Sequence, residues 1–231
     1  MSINFTVGIY KYATNPDSYT AKIGNAINQD TFNSGIVDSD YSYPVEIPSY
    51  VYFNNIKYEI VEIGLSAFRY CKYIPKIIIP ATIITINTWA FDCLFSCTEI
   101  TFLPGSKLTM IDGSAFCRCY SIKTLVLPSS LLTIKDHAIL CMKSLKFLYI
   151  CGNPSIGTDI LGDIAKGIDE VAPDDLTIYV PFEFNRTSQY RNYTKSYFNQ
   201  ICDLTIRCNS CKINSPYLHL SYSFTMIFIS L

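Results

Sequence analysis

Apolar residues between Val45 and Pro181 recur at a long and nearly constant interval. The pair Ala67-Phe68 returns as Ala90-Phe91 and Ala115-Phe116, 23 and 25 residues on, and Ala138-Ile139 follows after a further 23. With the Phe or Ile of each pair taken as an anchor, five residues before it stand Ile63, Ile86, Ile111 and Ile134, and eight before it Ile60, Ile83, Leu108 and Leu131. Six after it come Ile74, Cys97, Ile122 and Leu145; nine after, Ile77, Ile100, Leu125 and Leu148; eleven after, Ile79, Phe102, Leu127 and Ile150. Pro80 and Pro128 close their units, while the longer second unit carries its two extra residues in the loop Pro104-Gly105-Ser106. Self-similarity with a period of roughly 20 to 50 residues marks a repeat architecture.

Positions nine and eleven lie two apart, so on a short strand they share one face, while positions eight and ten take the other. One unit cannot hide its apolar side alone. Copies stacked about 4.8 Å apart pair as parallel strands and fuse the inward columns into one core. Proline just after the strand removes a donor and turns the chain away. The pattern predicts a β-rich repeat solenoid, a stack of short parallel strands.

The flanks extend the pattern. Val45-Glu46-Ile47-Pro48 and Leu176 to Pro181 repeat the strand-plus-proline signature, and Val51 to Tyr58 reads as a hairpin turning at Asn54-Asn55. Upstream, Ile3, Phe5, Val7 and Ile9 alternate with polar or small neighbours, Asn15-Pro16-Asp17-Ser18 is turn chemistry, and Tyr19 to Ile23 alternates again. This predicts one N-terminal hairpin capping the first edge of the stack. Three parts follow: a β cap over residues 1–44, the repeats over 45–181, and a C-terminal cap and tail over 182–231. In the tail, Leu218, Leu220, Tyr222, Phe224, Met226 and Phe228 sit two apart, the period of a half-buried strand; a disordered tail and lipid contact are the alternatives. The stretch is shorter than the roughly 20 residues of a bilayer-spanning helix.

The unit Ile-x-x-Ile-x-x-x-Ala-Phe-x-x-Cys-x-x-Ile-x-x-Ile-x-Ile-Pro, from Ile60 to Pro80, resembles the BspA-like leucine-rich repeat, as does Leu108 to Pro128. Ile47 to Ala67 is similar to the way such arrays begin. Leu94 and Met142 depart from the family's Cys, and Ile139 from its Phe. The resemblance implies a leucine-rich-repeat-type, right-handed stack that binds partners without enzymatic activity, in the manner of surface antigens and adhesins. It implies a place at the cell surface or outside the cell; because Met1 to Tyr12 has no basic start and no apolar segment, the cytoplasm is the alternative.

Charge changes this picture little. Eighteen basic residues against nineteen acidic ones gather into no block along the chain, which sets nucleic acid aside as a partner. Ten cysteines raise metal and disulfide chemistry. Cys71 and Cys119 fall in one column and Cys93 and Cys141 in another, with a whole repeat between the members of each pair, beyond bonding reach, and Cys71 and Cys119 read as core thiols; Cys93 near Cys117 or Cys119 is the adjacent-rung pairing to test. Cys208-Asn209-Ser210-Cys211 with Cys202 has zinc-like spacing but lacks a fourth ligand beyond His219, and as a redox dithiol it lacks the usual strand-to-helix setting. His137 and His219 stand in no catalytic constellation, Gly162 and Gly167 form no phosphate loop, and the sequons at Asn4, Asn185 and Asn192 are of a kind that arises by chance in an Asn- and Thr-rich chain. No cofactor is expected.

What remains is the outward face of the strand ladder. Position eight carries Lys76, Glu99, Thr124 and Phe147, and position ten carries Ile78, Thr101, Val126 and Tyr149, with Tyr179 on the next rung. If that face is open, its apolar and aromatic stripe marks a protein or host-surface ligand site; the alternative is that a cap or the tail folds across it. The competing expectation is a structural protein that associates with copies of itself through its C-terminal tail.

Overall fold

The computed structural model describes residues 2–24, 35–157, 159–161 and 176–181, and the backbone of 194–198. These residues form strands and turns and contain no helix. The N-terminal strands are β1 (Asn4–Val7), β2 (Tyr10–Asn15), β3 (Thr20–Ile23), β4 (Val45–Glu46), β5 (Tyr50–Phe53) and β6 (Ile56–Ile63). The repeats then alternate longer and shorter strands: β7 (Lys76–Ile79), β8 (Thr85–Ile86), β9 (Glu99–Phe102), β10 (Met110–Ile111), β11 (Thr124–Leu127), β12 (Thr133–Ile134), β13 (Phe147–Ile150) and β14 (Ser155–Ile156). The last described strands are β15 (Thr177–Pro181) and β16 (Thr194–Phe198).

The longer strands lie where the period-two pattern puts them. β4, β7 and β9 pair in parallel, with Val45 opposite Ile77 and Ile77 opposite Ile100. β11, β13, β15 and β16 form a second parallel ladder, with Leu125 opposite Leu148 and Leu148 opposite Ile178. Positions nine and eleven of all four repeats are buried. One expectation is only partly met: no ladder joins β9 to β11, so the Ile77 and Ile100 pair belongs to one sheet and the Leu125 and Leu148 pair to another. The interruption falls beside the repeat with the longer loop Pro104-Gly105-Ser106. β16 adds a rung that the sequence does not announce.

The rungs are tied together twice more. The column five before the anchor sits on the two-residue strands β8, β10, β12 and β14, which pair in parallel with one another and with β6, so that Ile63, Ile86, Ile111, Ile134 and Ile156 lie side by side. Around each anchor the backbone itself ladders: the amides of Phe68, Phe91 and Phe116 donate to the carbonyls of Ala90, Ala115 and Ala138 at 2.7, 2.8 and 2.8 Å. Each turn enters and leaves the left-handed region two residues either side of the anchor, at Ser66 and Tyr70, Trp89 and Cys93, Ser114 and Arg118, and His137 and Cys141. A non-glycine residue there costs about 1 kcal/mol, which the inter-rung hydrogen bonds offset. Inside, Phe68, Phe91 and Phe116 stack with centroids 5.4 and 5.3 Å apart and planes within 13°. A fifth turn, with Asp159 left-handed and Ile160 accepting from the Ile139 amide at 3.1 Å, puts Leu161 at the anchor position. It escapes the sequence pattern because Ile160-Leu161 replaces Ala-Phe.

At the N-terminus the single expected hairpin is two. Gly8, at φ +60°, breaks the alternating run from Ile3 to Ile9 with a two-residue turn, and β1 and β2 pair antiparallel across it. β2 then pairs antiparallel with β3, and β3 lies parallel to β6 with a bulge between Ala21 and Lys22. The hairpins thus continue the sheet of short strands, placing Ile23 opposite Ile63, while β4 borders the ladder of longer strands. Gly35 closes the contact: its amide donates to the Ala67 carbonyl at 2.8 Å, and a Cβ there would stand 2.6 Å from the Ile23 side chain. β5 and β6 form the expected hairpin, with Asn54 and Asn55 both left-handed at its turn. The alternating tail from Leu218 to Leu231 lies outside the described residues.

Candidate interaction surface

The eight- and ten-after columns stand on the outer side of the longer strands, and their residues are half-exposed with one exception. Lys76 and Glu99, opposite each other on β7 and β9, form an ion pair at 2.8 Å, and the Thr101 hydroxyl donates to the same carboxylate at 2.7 Å. Partial burial pushes the Glu99 carboxyl upward, but the hydrogen bonds from Lys76 and Thr101 outweigh it and hold the group below its usual value. Ile78, Thr124, Val126, Phe147 and Tyr179 complete the half-exposed set. Tyr149 does not belong to it. Only 3% of its surface is exposed, and its ring stacks on Tyr179 at 4.4 Å with planes 7° apart. The expected aromatic end of the stripe is therefore a packed element at Tyr149, and the accessible apolar residues reduce to Ile78, Val126, Phe147 and Tyr179.

A polar cluster that no sequence motif announces lies on the anchor turns. Asp92, fully buried one residue after its anchor, accepts from Arg69 Nε at 2.9 Å, from Arg118 Nε at 3.1 Å and from an Arg118 terminal nitrogen at 2.8 Å. The Cys93 thiol donates to it at 3.3 Å. Arg69 packs over the Trp89 ring at 4.5 Å. The two arginines come from the rungs before and after, so one carboxylate fastens three rungs. Arg69, Asp92 and Arg118 sit within one position of each other relative to their anchors; that alignment is the signal the sequence offered, visible once polar positions are read in the same columns as apolar ones.

The seven described cysteines are free thiols and buried. The Cys93 amide donates to the Cys117 carbonyl at 2.9 Å, so this adjacent-rung pair is neighbouring but reduced. Burial pushes Cys71 and Cys97 up to about 12 and Cys93 up to about 11, and raises Cys119 well above an ordinary thiol. Such groups stay protonated and serve as packing. Cys202, Cys208, Cys211, His219, Asn185, Asn192, Gly162 and Gly167 lie outside the described residues. His137 is half-exposed at a left-handed turn position, and Asn4 is exposed on β1. Among the described residues no three His, Cys, Asp or Glu side chains are placed to hold a metal, and no helix is long and apolar enough to cross a membrane. A shallow cleft of about 360 Å³ between the β2–β3 turn and β6 is walled by the Lys22 and Glu62 ion pair and gathers no reactive group.

The family model of the BspA type leucine rich repeat region matches residues 47–163 in six copies, just over half of the chain. No curated protein matches. Among solved structures, the chain is similar to the T. pallidum leucine rich repeat protein, at 20% identity and a TM-score of 0.60, over 85% of this chain and 82% of that one. It is also similar to the pneumococcal vaccine antigen PcpA, at 17% identity and 0.59, and to a leucine rich cell surface protein from Faecalibacterium prausnitzii, at 20% and 0.53. These two cover 85% and 84% of this chain, which spans 46% and 47% of theirs. At such identities the likeness is one of fold. Phe68, Phe91 and Phe116 stacked along the core, Cys71 and Cys119 buried beside them and Pro80 and Pro128 closing the rungs are the motif in three dimensions, and the chain belongs to the BspA-type leucine-rich repeat family.

Proposed function

We propose that the chain is a non-enzymatic protein-binding module, a right-handed solenoid in which the repeats over 45–181 carry the binding surface between an N-terminal β cap and a C-terminal cap. Its partner face is the outer side of the longer strands, built from Lys76, Ile78, Glu99, Thr101, Thr124, Val126, Phe147 and Tyr179. The observation that carries this reading is the alternation on those strands. Inward residues are buried and outward ones, Tyr149 excepted, are half-exposed over four rungs, which gives a rigid face whose apolar members are held out of the core. A preorganised face loses little conformational freedom on binding. The nearby buried carboxylate, Asp92, is engaged by two guanidinium groups, as suits a structural fastening better than a reacting group. The fold shared with a leucine rich cell surface protein and a vaccine antigen supports a place on the cell surface.

Two measurements test this. Antibody staining of intact and permeabilised cells should label the protein without permeabilisation. Purified protein should adhere to a host-cell layer, and the double substitution Ile78→Asp and Val126→Asp should abolish adherence while the unfolding midpoint stays within the range of a surface change. Adherence unaffected by the double substitution would reject this face.

A second reading, self-association, is favoured by one feature. Among the described residues β1 pairs only with β2, and no described strand borders its outer side, where Ile3 and Val7 are exposed. An open edge strand is a template for a second chain. Sedimentation at micromolar concentration discriminates: a monomer, with or without residues 216–231, counts against it.

A further inference from the structure

The most exposed apolar side chains of the repeats lie off the longer strands. Between residues 45 and 181 the exposed large apolar residues among the described ones are Tyr50, Tyr52, Ile56, Tyr73, Ile84 and Leu132, and none belongs to β7, β9, β11 or β13. Ile84 and Leu132, 40% and 66% exposed, share the column seven before the anchor with Val61 and Thr109. Hydrogen bonds put that column in register. The Ile84 amide donates to the Val61 carbonyl at 2.7 Å, the Thr109 amide to Ile84 at 2.9 Å and the Leu132 amide to Thr109 at 2.9 Å. Val61 is half-exposed, as is Met110, the outer residue of β10 next to Thr109. A ridge of aliphatic side chains thus runs along the outer side of the short strands.

Two features decide what such a ridge can hold. The first is that its polar neighbours are satisfied within the chain. The hydroxyls of Thr82, Thr109 and Ser130 donate to the carbonyls of Ile60, Ile84 and Leu108 on the preceding rung, at 2.7, 3.2 and 2.7 Å. The charges that border the ridge pair with one another: Lys107 with Glu59 at 3.7 Å, Lys22 with Glu62 at 3.9 Å and Lys135 with Asp112 at 3.1 Å. With one cation to each carboxylate, the border favours neither sign of charge in a partner, and the aliphatic column rewards an apolar one. It also offers no ring face on which a sugar would stack. The second feature is size. From Val61 to Leu132, three rung spacings of about 4.8 Å make roughly 14 Å, which an extended chain covers in about five residues. A ridge of that length presents on the order of a few hundred Å², well short of the roughly 800 Å² that each partner gives to a stable interface between folded proteins. A short segment fits it and a second copy of the chain does not.

We propose that the outer side of the short strands, distinct from the outer face of the longer ones, docks a short, uncharged, apolar segment of a partner protein along the column Val61, Ile84, Thr109 and Leu132. Burial of aliphatic surface drives this contact, so it persists as salt rises, where a contact steered by charge would be screened.

The test uses the full chain and, as probe, a fluorescein-labelled, end-capped decapeptide of alternating leucine and threonine, followed by anisotropy. Binding that holds or tightens on addition of sodium sulfate is expected. Ile84→Asp with Leu132→Asp should lose about tenfold or more in affinity, because docking would bury unpaired carboxylates. Ile84→Ala with Leu132→Ala should lose less, and Ile78→Asp with Val126→Asp, on the longer strands, should bind as the parent does. Thermal melts of both ridge variants should stay close to the parent, since both side chains stand in solvent, and the alanine pair carries the test where aspartate disturbs the fold. Absence of peptide binding overturns the proposal, as does parent-like binding by both ridge variants. So does tighter binding of the same peptide with glutamate or lysine in place of threonine, which would mark a charged occupant. Capture of neutral phosphatidylcholine vesicles in preference to the peptide would assign the ridge to a lipid surface, and a dimer at micromolar concentration that the aspartate pair dissolves would assign it to a second copy; either overturns the proposal. Peptide binding lost in the aspartate pair with adherence retained separates this ridge from the face proposed above.

Discussion

Replacing Asp92 by Asn keeps the shape of the side chain and removes its charge, which isolates what the carboxylate does for the stack. Arg69, with 12% of its side chain exposed, cannot rehydrate in place; Arg118, at 35%, can do so in part. Four donors, from Arg69 Nε, two Arg118 nitrogens and the Cys93 thiol, converge on the two oxygens. The amide of Asn replaces one acceptor with a donor and turns it toward a guanidinium. Removing one member of a buried pair costs about 3–5 kcal/mol, chiefly through the charge left behind. For a chain of this size each kcal/mol lowers the melting temperature by roughly 2–4 °C, so Asp92→Asn should melt about 6–20 °C below the parent. Urea denaturation followed by circular dichroism measures the same difference as a shift in midpoint. Because its charge is closer to water, Arg118→Ala should cost less than Asp92→Asn, and a triple variant with Leu at 92 and Met at 69 and 118 should recover most of the loss. A cost below about 1 kcal/mol for Asp92→Asn would refute the fastening role, since a charge that can be removed so cheaply is not holding three rungs together.

Phe91 lies between Phe68 and Phe116, so Phe91→Ala should cost about 3–5 kcal/mol by opening a cavity that neither neighbour can fill, read as a lowered urea midpoint. Tyr149→Ala should destabilise the protein by several kcal/mol in the same assay, whereas Val126→Ala on the opposing outer position should stay within about 0.5 kcal/mol. Alkaline pH should destabilise the fold. The buried thiols Cys71, Cys93 and Cys97 have folded values of about 12, 11 and 12 against 9 when exposed, so their contribution is complete below pH 9 and is lost as pH rises through 9 to 12; urea midpoints at pH 7, 9 and 10.5 should fall in that order. Native alkylation of the seven described cysteines at pH 8 should be slow and should reach all seven in denaturant without reductant, because they are free and buried.

The sequence made legible whatever a rung must supply for itself. Positions nine and eleven had to be apolar for each strand to have an inner face, Pro80 and Pro128 had to end their strands, and Asn54-Asn55 had to accept left-handed angles, so each left its mark locally. Signals too short or too plain for periodicity were missed: the two-residue strands from β8 to β14, the turn made by the lone Gly8, and the rung at Leu161 that lacks the Ala-Phe pair.

Relations between rungs were a different matter. That Arg69 and Arg118 converge on Asp92, that Tyr149 is buried against Tyr179, and that Lys123 stands beside Lys146 are consequences of stacking, which brings residues some 23 to 30 positions apart within reach of one another. Apolar columns are written in every repeat because each rung alone would expose its greasy side to water. Polar neighbours carry no such mark, because the energy that joins them exists only once the rungs have met.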